Sequence, residues 1–313
     1  MVDRRSQREG SQSPTLSMPD TDTWSSPAEV TDALAHQHYL ADRSLAMSTY
    51  LSARLGKPLL LEGEPGCGKT ELAKALAAAM GSELIRLQCF EGLDARSALY
   101  DWNYPKQMLT IRLHERDESP TAVEKEIFTE RFLLRRPLLR ALEETGPHRP
   151  VLLIDEIDRA DEEFEGLLLE VLSDFQITIP ELGTIKARRL PLVIITSNRT
   201  RELSDALKRR CLYAFVDYPS FERESDILRA RVPGLGEHLG HEIVTFVQRI
   251  RSEKDLVKRP GVAETLDWAA ALLALHRDAL EPEVVEETLG CLLKDAADVQ
   301  LAHHRGLERL LST

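Results

Sequence analysis

One segment constrains the fold of this chain more than any other: a short apolar strand, a glycine-rich loop and a lysine that opens a helix. It begins at Leu59 and reads LLLEGEPGCGKT. Its spacing fits G-x-x-x-x-G-K-[ST], in which small residues let successive backbone N–H groups converge on phosphate oxygens. The helix N-terminus adds partial positive charge to the same place. The sequence therefore predicts a phosphate-binding loop formed by Gly63, Glu64, Pro65, Gly66, Cys67, Gly68, Lys69 and Thr70.

Two adjacent carboxylates supply what this loop lacks. Val151–Ile154 is an apolar run of four residues, too short for a helix and typical of a buried parallel strand, and it ends at Asp155 and Glu156. Asp155 and the Thr70 hydroxyl would hold Mg²⁺, and Glu156 would polarise a water for attack on a γ-phosphate. The alternative interpretation is a solvated acidic pair at a helix start. The phosphate-binding loop earlier in the chain argues against it.

A polar residue and a basic cluster follow the next buried strand. Asn198 comes after the apolar run 190–196 and could orient the attacking water or contact the γ-phosphate, although such an Asn is often only a turn residue. Farther along the chain, Arg209 and Arg210 lie near the end of a helix. Two interpretations of these arginines stay open. They form a solvated basic cluster, or one of them neutralises transition-state charge on the nucleotide of a neighbouring subunit.

The distribution of apolar runs predicts a tail and two domains. Residues 1–27 are rich in Ser, Thr, Pro and charge and are expected to form a disordered tail. Residues 28–220 alternate apolar strands with helices, which predicts an α/β domain with a parallel sheet sandwiched by helices. A long helix is expected over 122–144 and a strand pair over 175–187. Residues 221–313 carry only helical patterns, including 282–304, and are expected to form an all-helical second domain.

Composition excludes some classes of protein and favours others. The net charge of −12 argues against a protein that coats nucleic acid, and no apolar run approaches a membrane span. The four cysteines lie far apart without metal-ligand spacing, and the first residues lack a hydrophobic signal segment. We therefore expect a soluble cytoplasmic protein with no stable membrane insertion and no nucleic-acid partner.

The order of these motifs resembles an AAA+ ATPase, over about residues 28–311. Within AAA+, the loop and the strand pair before Asn198 are similar to the MoxR family. The segments 99–107 (LYDWNYPKQ) and 264–268 (ETLDW) resemble the branch encoded beside aerobic carbon monoxide dehydrogenase. The fold class implied is an AAA+ P-loop NTPase with a C-terminal helical lid.

The resemblance also implies an activity and partners. It implies an ATPase that uses ATP and Mg²⁺, forms a homo-oligomeric ring that is usually a hexamer, and binds nucleotide at subunit interfaces. It further implies a chaperone-like role with a von Willebrand factor A domain partner, in maturing or activating a metalloenzyme client. Two alternatives are a nucleic-acid-acting AAA+ motor or regulator and a slow, nucleotide-gated scaffold.

Two features depart from the family pattern or stand outside it. Family members often carry a second sensor arginine in the helical domain, and Ala263 stands at that place here; Lys258 or Arg259 could substitute. Tyr100, Trp102 and Tyr104 form an aromatic cluster in a chain with few aromatic residues. They either anchor a partner or fasten an insertion to the core.

Overall fold

The computed structural model describes residues 24–114 and 120–311. The predicted tail falls mainly on residues 1–23, which lie outside the described residues. Its last positions belong to the fold, because Trp24 packs on the core and Ser26 caps the first helix, which begins at Pro27.

The described residues form nine strands and fifteen α-helices. The strands are β1 (Leu59–Glu62), β2 (Leu84–Gln88), β3 (Tyr100–Trp102), β4 (Leu133–Arg135), β5 (Val151–Asp155), β6 (Gln176–Ile179), β7 (Gly183–Lys186), β8 (Leu192–Ser197) and β9 (Leu212–Phe215). The helices are α1 (Pro27–Ala35), α2 (Arg43–Leu55), α3 (Lys69–Met80), α4 (Ala95–Ala98), α5 (Tyr104–His114), α6 (Pro120–Ile127), α7 (Pro137–Glu143), α8 (Glu162–Asp174), α9 (Asp205–Arg210), α10 (Phe221–Arg231), α11 (Glu237–Ser252), α12 (Val262–Ala274), α13 (Pro282–Leu292), α14 (Ala296–Arg305) and α15 (Leu307–Leu311).

A five-stranded parallel sheet forms the centre, in the order β2-β5-β8-β1-β9. The three inner strands, β5, β8 and β1, are buried on both faces, so each reads as an apolar run while successive side chains enter opposite layers. Leu60 packs with α7 and α8 on one face, whereas Leu59 and Leu61 pack with α1, α2 and α3 on the other. This confirms the predicted α/β fold with helices on both faces of a parallel sheet.

The sequence interpretation missed β9, which pairs in parallel with β1 at the edge of the sheet. The run 211–216 (CLYAFV) is apolar, so a strand signal is present in the sequence. Tyr213 and Phe215 are nevertheless exposed, because β9 lies at the edge of the sheet. The predicted strand pair over 175–187 is confirmed as the antiparallel hairpin of β6 and β7.

The predicted long helix over 122–144 is wrong. Helix α6 ends at Ile127, β4 follows, and α7 begins at Pro137. Strand β4 pairs with β3, which places Leu133 opposite Trp102, and proline starts a new helix because it lacks the N–H that would continue the old one. Tertiary pairing thus overrides the helical pattern.

The three residues of the aromatic cluster differ in burial, so they do not share one role. Trp102 is buried and meets Phe128 edge-to-face at 5.3 Å, and Tyr100 packs against its other side at 6.5 Å. Tyr104 opens α5 and is 50% exposed. Trp102 therefore fastens the insertion, and Tyr104 is the member that a partner could contact.

The helices from α10 to α15 enclose a hydrophobic cluster of their own, with Trp268 and Phe246 at its centre. The indole N–H of Trp268 donates to Thr288 Oγ1 at 2.8 Å, so the buried ring leaves no unpaired polar atom. The helix expected over 282–304 is interrupted after α13, because Asp295 caps a new helix by accepting from Ala297 N–H.

Candidate functional site

The site lies at the carboxyl ends of the parallel strands, where α/β sheets bind ligands. Strand β1 runs into the phosphate-binding loop, and Glu62 is paired with Ser197 at the end of β8. Strand β5 ends beside them at Asp155, and β2 ends at Gln88. Four strands thus deliver the loop, the carboxylates, the Asn198 segment and two further polar side chains to one edge.

The loop needs glycine at two positions for steric reasons. A Cβ on Gly63 would lie 2.0 Å from the Val216 carbonyl oxygen, so the backbones approach too closely for any side chain. Gly66 has φ +78°, and its Cβ would lie 2.9 Å from the Cα of Gly261. The Val262 N–H, at the start of α12, donates to the Gly66 carbonyl at 3.0 Å. The loop is therefore seated against β9 and against the helical region.

Lys69 is only 5% exposed. Its ammonium donates to the carbonyl oxygens of Gly63 and Glu64, both at 2.7 Å. Burial lowers the pKa of Lys69, although nearby acidic groups, Asp158 and Asp155 among them, oppose the shift. The amine is thus a buried cation held by the backbone of its own loop, which suits binding of a phosphate anion.

Asp155 is 2% exposed and accepts hydrogen bonds on both carboxylate oxygens. Oδ1 accepts from the hydroxyls of Thr70 at 2.9 Å and Thr196 at 2.6 Å. Oδ2 accepts from Arg86 through Nε at 3.0 Å and Nη2 at 2.6 Å. The structure therefore brings together Thr70 and Asp155, the two residues predicted to bind metal.

Glu156 has a left-handed backbone with φ +56°, which is uncommon for a residue with a side chain. Its N–H donates to Thr196 Oγ1 at 2.9 Å, and its carboxylate accepts from Gln88 Nε2 at 3.0 Å and Arg159 Nη1 at 3.2 Å. Strained backbone of this kind costs about 1–3 kcal/mol and is concentrated at functional sites. These contacts hold Glu156 at the edge of a cavity that lies between the sheet region and the helices that follow it.

Asn198 follows β8 and lines the same cavity. Its backbone N–H donates at 3.1 Å to the buried Asp158, which also accepts from the Thr200 N–H at 2.9 Å and hydroxyl at 2.6 Å. Burial pushes the pKa of Asp158 upward, but these hydrogen bonds outweigh it and the pKa is lowered. The ionised Asp158 therefore fixes the turn that carries Asn198.

The cavity has a volume of about 860 Å³ and lies between the sheet region and the helices that follow it. Ala263 lines it, at the place where the family pattern has an arginine. Lys258 and Arg259 are not among its lining residues, whereas Arg223 and Arg231 of α10 are. Arg231 pairs with Glu71 at 3.6 Å. Arg223 donates to the Leu40 carbonyl.

Arg209 and Arg210 are exposed at the C-terminal end of α9 and do not line the cavity. Arg210 donates to the Leu169 carbonyl of α8. The structure thus brings the loop, Asp155, Glu156 and Asn198 together within one chain, and it places the two arginines elsewhere on the surface.

Sequence reasoning missed four residues of this site: Arg86, Gln88, Thr196 and Asp158. Arg86 and Gln88 are two positions apart on β2, so their side chains emerge from the same face of the strand. Thr196 ends an apolar run, which predicts a strand and no role in the site. For Arg86, Gln88 and Thr196 the available signal was a polar side chain within the last three residues of a strand that ends beside β5. Asp158 follows β5 in a turn, and this signal does not cover it.

Residues 58–211 match the family model of the AAA domain, dynein-related subfamily. The chain accordingly has the AAA+ P-loop NTPase fold, with a central five-stranded parallel sheet and a helical C-terminal region. This domain implies nucleotide binding and supports ATP hydrolysis as the reaction of the site.

Similar proteins include an uncharacterised protein of Staphylococcus haemolyticus, 28% identical over 249 residues, which are 77% of this chain and 85% of that protein. The Lon protease of Fusobacterium nucleatum is 27% identical over 211 residues, 61% of this chain but only 23% of the protease. Among solved structures, the Thermotoga maritima RuvB Holliday junction branch migration motor has 16% identity and a TM-score of 0.43, covering 87% of this chain and 68% of that one.

Of the helices in residues 24–114 and 120–311, none is both long enough and apolar enough to cross a bilayer.

Proposed function

We propose that this chain is an ATP-hydrolysing, MoxR-type remodelling ATPase that matures or activates a metalloenzyme together with a von Willebrand factor A domain partner. The single observation that carries the ATPase assignment is the meeting of Thr70 and Thr196 on Asp155, next to the buried Lys69. The matched AAA domain supports it. The MoxR assignment and its partners rest on the resemblance of the loop, the hairpin and the segments 99–107 and 264–268.

The residues present fit a magnesium nucleotide. Thr70 uses its hydroxyl proton on Asp155, which leaves its oxygen lone pairs available, and Mg²⁺ prefers such oxygen ligands. Thr70 and Asp155 would hold the ion, directly or through water. When bound, Mg²⁺ would neutralise charge on the β- and γ-phosphates. Lys69 would exchange its two loop carbonyls for phosphate oxygens.

Glu156 would accept the proton of the attacking water. Its carboxylate already faces the cavity and is held by Gln88 and Arg159, which keep it from rotating freely. The Asn198 side chain would orient the same water or contact the γ-phosphate, and Asp158 positions Asn198 through the backbone. The position of Glu156 and Asn198 on one cavity supports these roles.

Replacing Glu156 with glutamine tests this assignment. E156Q should bind ATP with nearly unchanged affinity and lose at least about a hundredfold in turnover, in line with a missing general base. Glu163→Gln is the matched control, because Glu163 is an exposed acid of α8 outside the cavity. Equal turnover in E156Q and wild type would remove Glu156 from the reaction.

The positions of Arg209 and Arg210 favour a site completed by a second copy of the chain, since AAA+ ATPases commonly form rings. We propose a hexameric ring in which one or both arginines reach the nucleotide of the neighbour. Lys69→Ala and an Arg209→Ala/Arg210→Ala double variant should each be inactive. Mixing them should restore ATP hydrolysis, because some interfaces then combine an intact loop with intact arginines; a mixture that stays inactive contradicts the shared site.

The proposed division of the chain is residues 28–220 as the nucleotide-binding domain and 221–313 as the lid.

The remodelling role is tested by adding candidate partners to the ATPase assay and by capturing partners with E156Q in ATP. Stimulation by a von Willebrand factor A domain protein, and none by DNA, is the expected result. Stimulation by DNA alone would favour a nucleic-acid motor, and full client activation by E156Q would favour a scaffold.

A further inference from the structure

Arg86 is a basic residue that none of the roles above requires. It lies on β2, next to β5 in the sheet, and its register partner is Leu153. Its guanidinium reaches past the strand end to Asp155, with Nε and Nη2 both donating to Oδ2. Nη2 also contacts Gln88 Oε1, and Gln88 in turn donates to Glu156. One strand therefore holds both acidic residues of the site.

The two oxygens of Asp155 have different partners. Oδ1 is shared by the neutral hydroxyls of Thr70 and Thr196. Among the described residues, Oδ2 accepts hydrogen bonds from the positive guanidinium, so Arg86 is a counter-ion in direct contact with this buried carboxylate. The side chain of Arg86 is 49% exposed, whereas that of Asp155 is 2% exposed. The arginine can therefore leave into solvent, and the aspartate cannot.

A divalent cation near Thr70 and Asp155 would meet the charge of Arg86 at close range. Like charges repel, and water reduces this repulsion only in part because Asp155 is buried while Arg86 is half-exposed. Oδ2 also has few lone pairs left while it accepts two N–H bonds. Both effects oppose cation binding as long as the guanidinium stays in place.

We propose that Arg86 competes with Mg²⁺ for Asp155: the guanidinium releases Oδ2 when the metal nucleotide binds and returns to it when the metal leaves. The inference rests on the proposed function, since it concerns the same metal site. Arg86 is a positioning residue in this scheme. It keeps the carboxylate oriented between turnovers, and it lowers the affinity of the site for the metal.

The test measures Mn²⁺ binding in the presence of saturating ADP, by the electron paramagnetic resonance signal of free Mn²⁺. Arg86→Gln should bind Mn²⁺ about three- to tenfold more tightly than wild type, a modest effect because a half-exposed charge is partly screened. Arg86→Lys should restore most of the weaker binding, since it restores the charge. Arg140→Gln is the matched control: Arg140 is also half-exposed and pairs with Glu83, at the opposite end of β2. It should bind Mn²⁺ as wild type does.

The outcomes separate this inference from the function on which it rests. If wild type binds Mn²⁺ with ADP and R86Q binds it equally or more weakly, Arg86 does not compete and the inference is wrong. If wild type shows no Mn²⁺ binding with ADP, the proposed metal site fails and the inference fails with it. Circular dichroism of each variant shows whether a change in binding reflects folding, and tighter binding by a folded R86Q supports the competition.

Discussion

Replacing Gly261 with alanine tests how the helical region is seated on the phosphate-binding loop. Gly261 precedes α12 with φ −84°, a conformation that alanine adopts without strain. The added Cβ would lie 2.6 Å from the Cα of Gly66 and 2.9 Å from its carbonyl carbon. Carbon atoms in contact need about 3.5 Å or more, so the two segments must separate by about 1 Å. The same movement breaks the 3.0 Å hydrogen bond from Val262 N–H to the Gly66 carbonyl.

The cost of this separation sets the size of the effect. Overpacking a close contact costs about 1–3 kcal/mol, and we count the lost hydrogen bond, worth roughly 0.5–1.5 kcal/mol, within that total. The cavity lies between the two regions, so we expect the cost to fall on closure around the nucleotide. ATP affinity should then weaken by about 5- to 150-fold, because each 1.4 kcal/mol is a factor of ten.

The assay is the fluorescence anisotropy of a labelled ATP analogue, together with urea unfolding. Gly290→Ala is the matched control, because Gly290 lies in α13 and its added Cβ would have no atom within 4 Å. The control should bind ATP normally and be about 0.5–1 kcal/mol more stable, since alanine favours the helix. If G261A binds ATP as tightly as the control, the contact between Gly261 and Gly66 does not govern nucleotide binding and the reasoning is refuted.

Three further predictions concern buried groups. Thr196→Val should cost about 1–3 kcal/mol in thermal unfolding and slow ATP hydrolysis, because it removes the donor to Asp155, while Thr196→Ser should retain both properties. Glu224→Gln should destabilise the helical region by about 3–5 kcal/mol in urea, since Arg251, its 2.6 Å partner, would stay charged and buried; a loss below 1 kcal/mol would contradict this. Burial raises the pKa of Cys67 to about 11, so its alkylation by iodoacetamide, followed by mass spectrometry, should be slow at pH 8 and accelerate up to about pH 11; fast labelling at pH 8 would show an accessible thiolate.

Local patterns predicted the parts of the fold that form from neighbouring residues. Strands β1, β5 and β8 are buried on both faces, so their sequences are unbroken apolar runs. Helix α3 begins at Lys69, directly after the glycine-rich loop, as the spacing of that loop predicts. Both signals lie within the segment itself and do not depend on its partners.

The predictions that failed depend on partners distant in the chain. Strand β4 carries a helical pattern but pairs with β3, about thirty residues earlier. Pairing energy outweighs a weak local preference over three or four residues. No local pattern indicates β4, whereas β9 lies within the apolar run 211–216, a signal that the sequence interpretation missed.

In the candidate site, too, some features follow from local sequence and others from contacts between distant parts of the chain. The sequence by itself determined the glycine spacing of the phosphate-binding loop, the buried strands and the acidic pair Asp155 and Glu156, because these follow from backbone geometry and apolar periodicity within short segments. Only the tertiary structure decided that Arg86 and Thr196 share Asp155 and that Gly261 meets Gly66. These contacts are set by the order of strands in the sheet and by the seating of the helical region, and both depend on long-range packing.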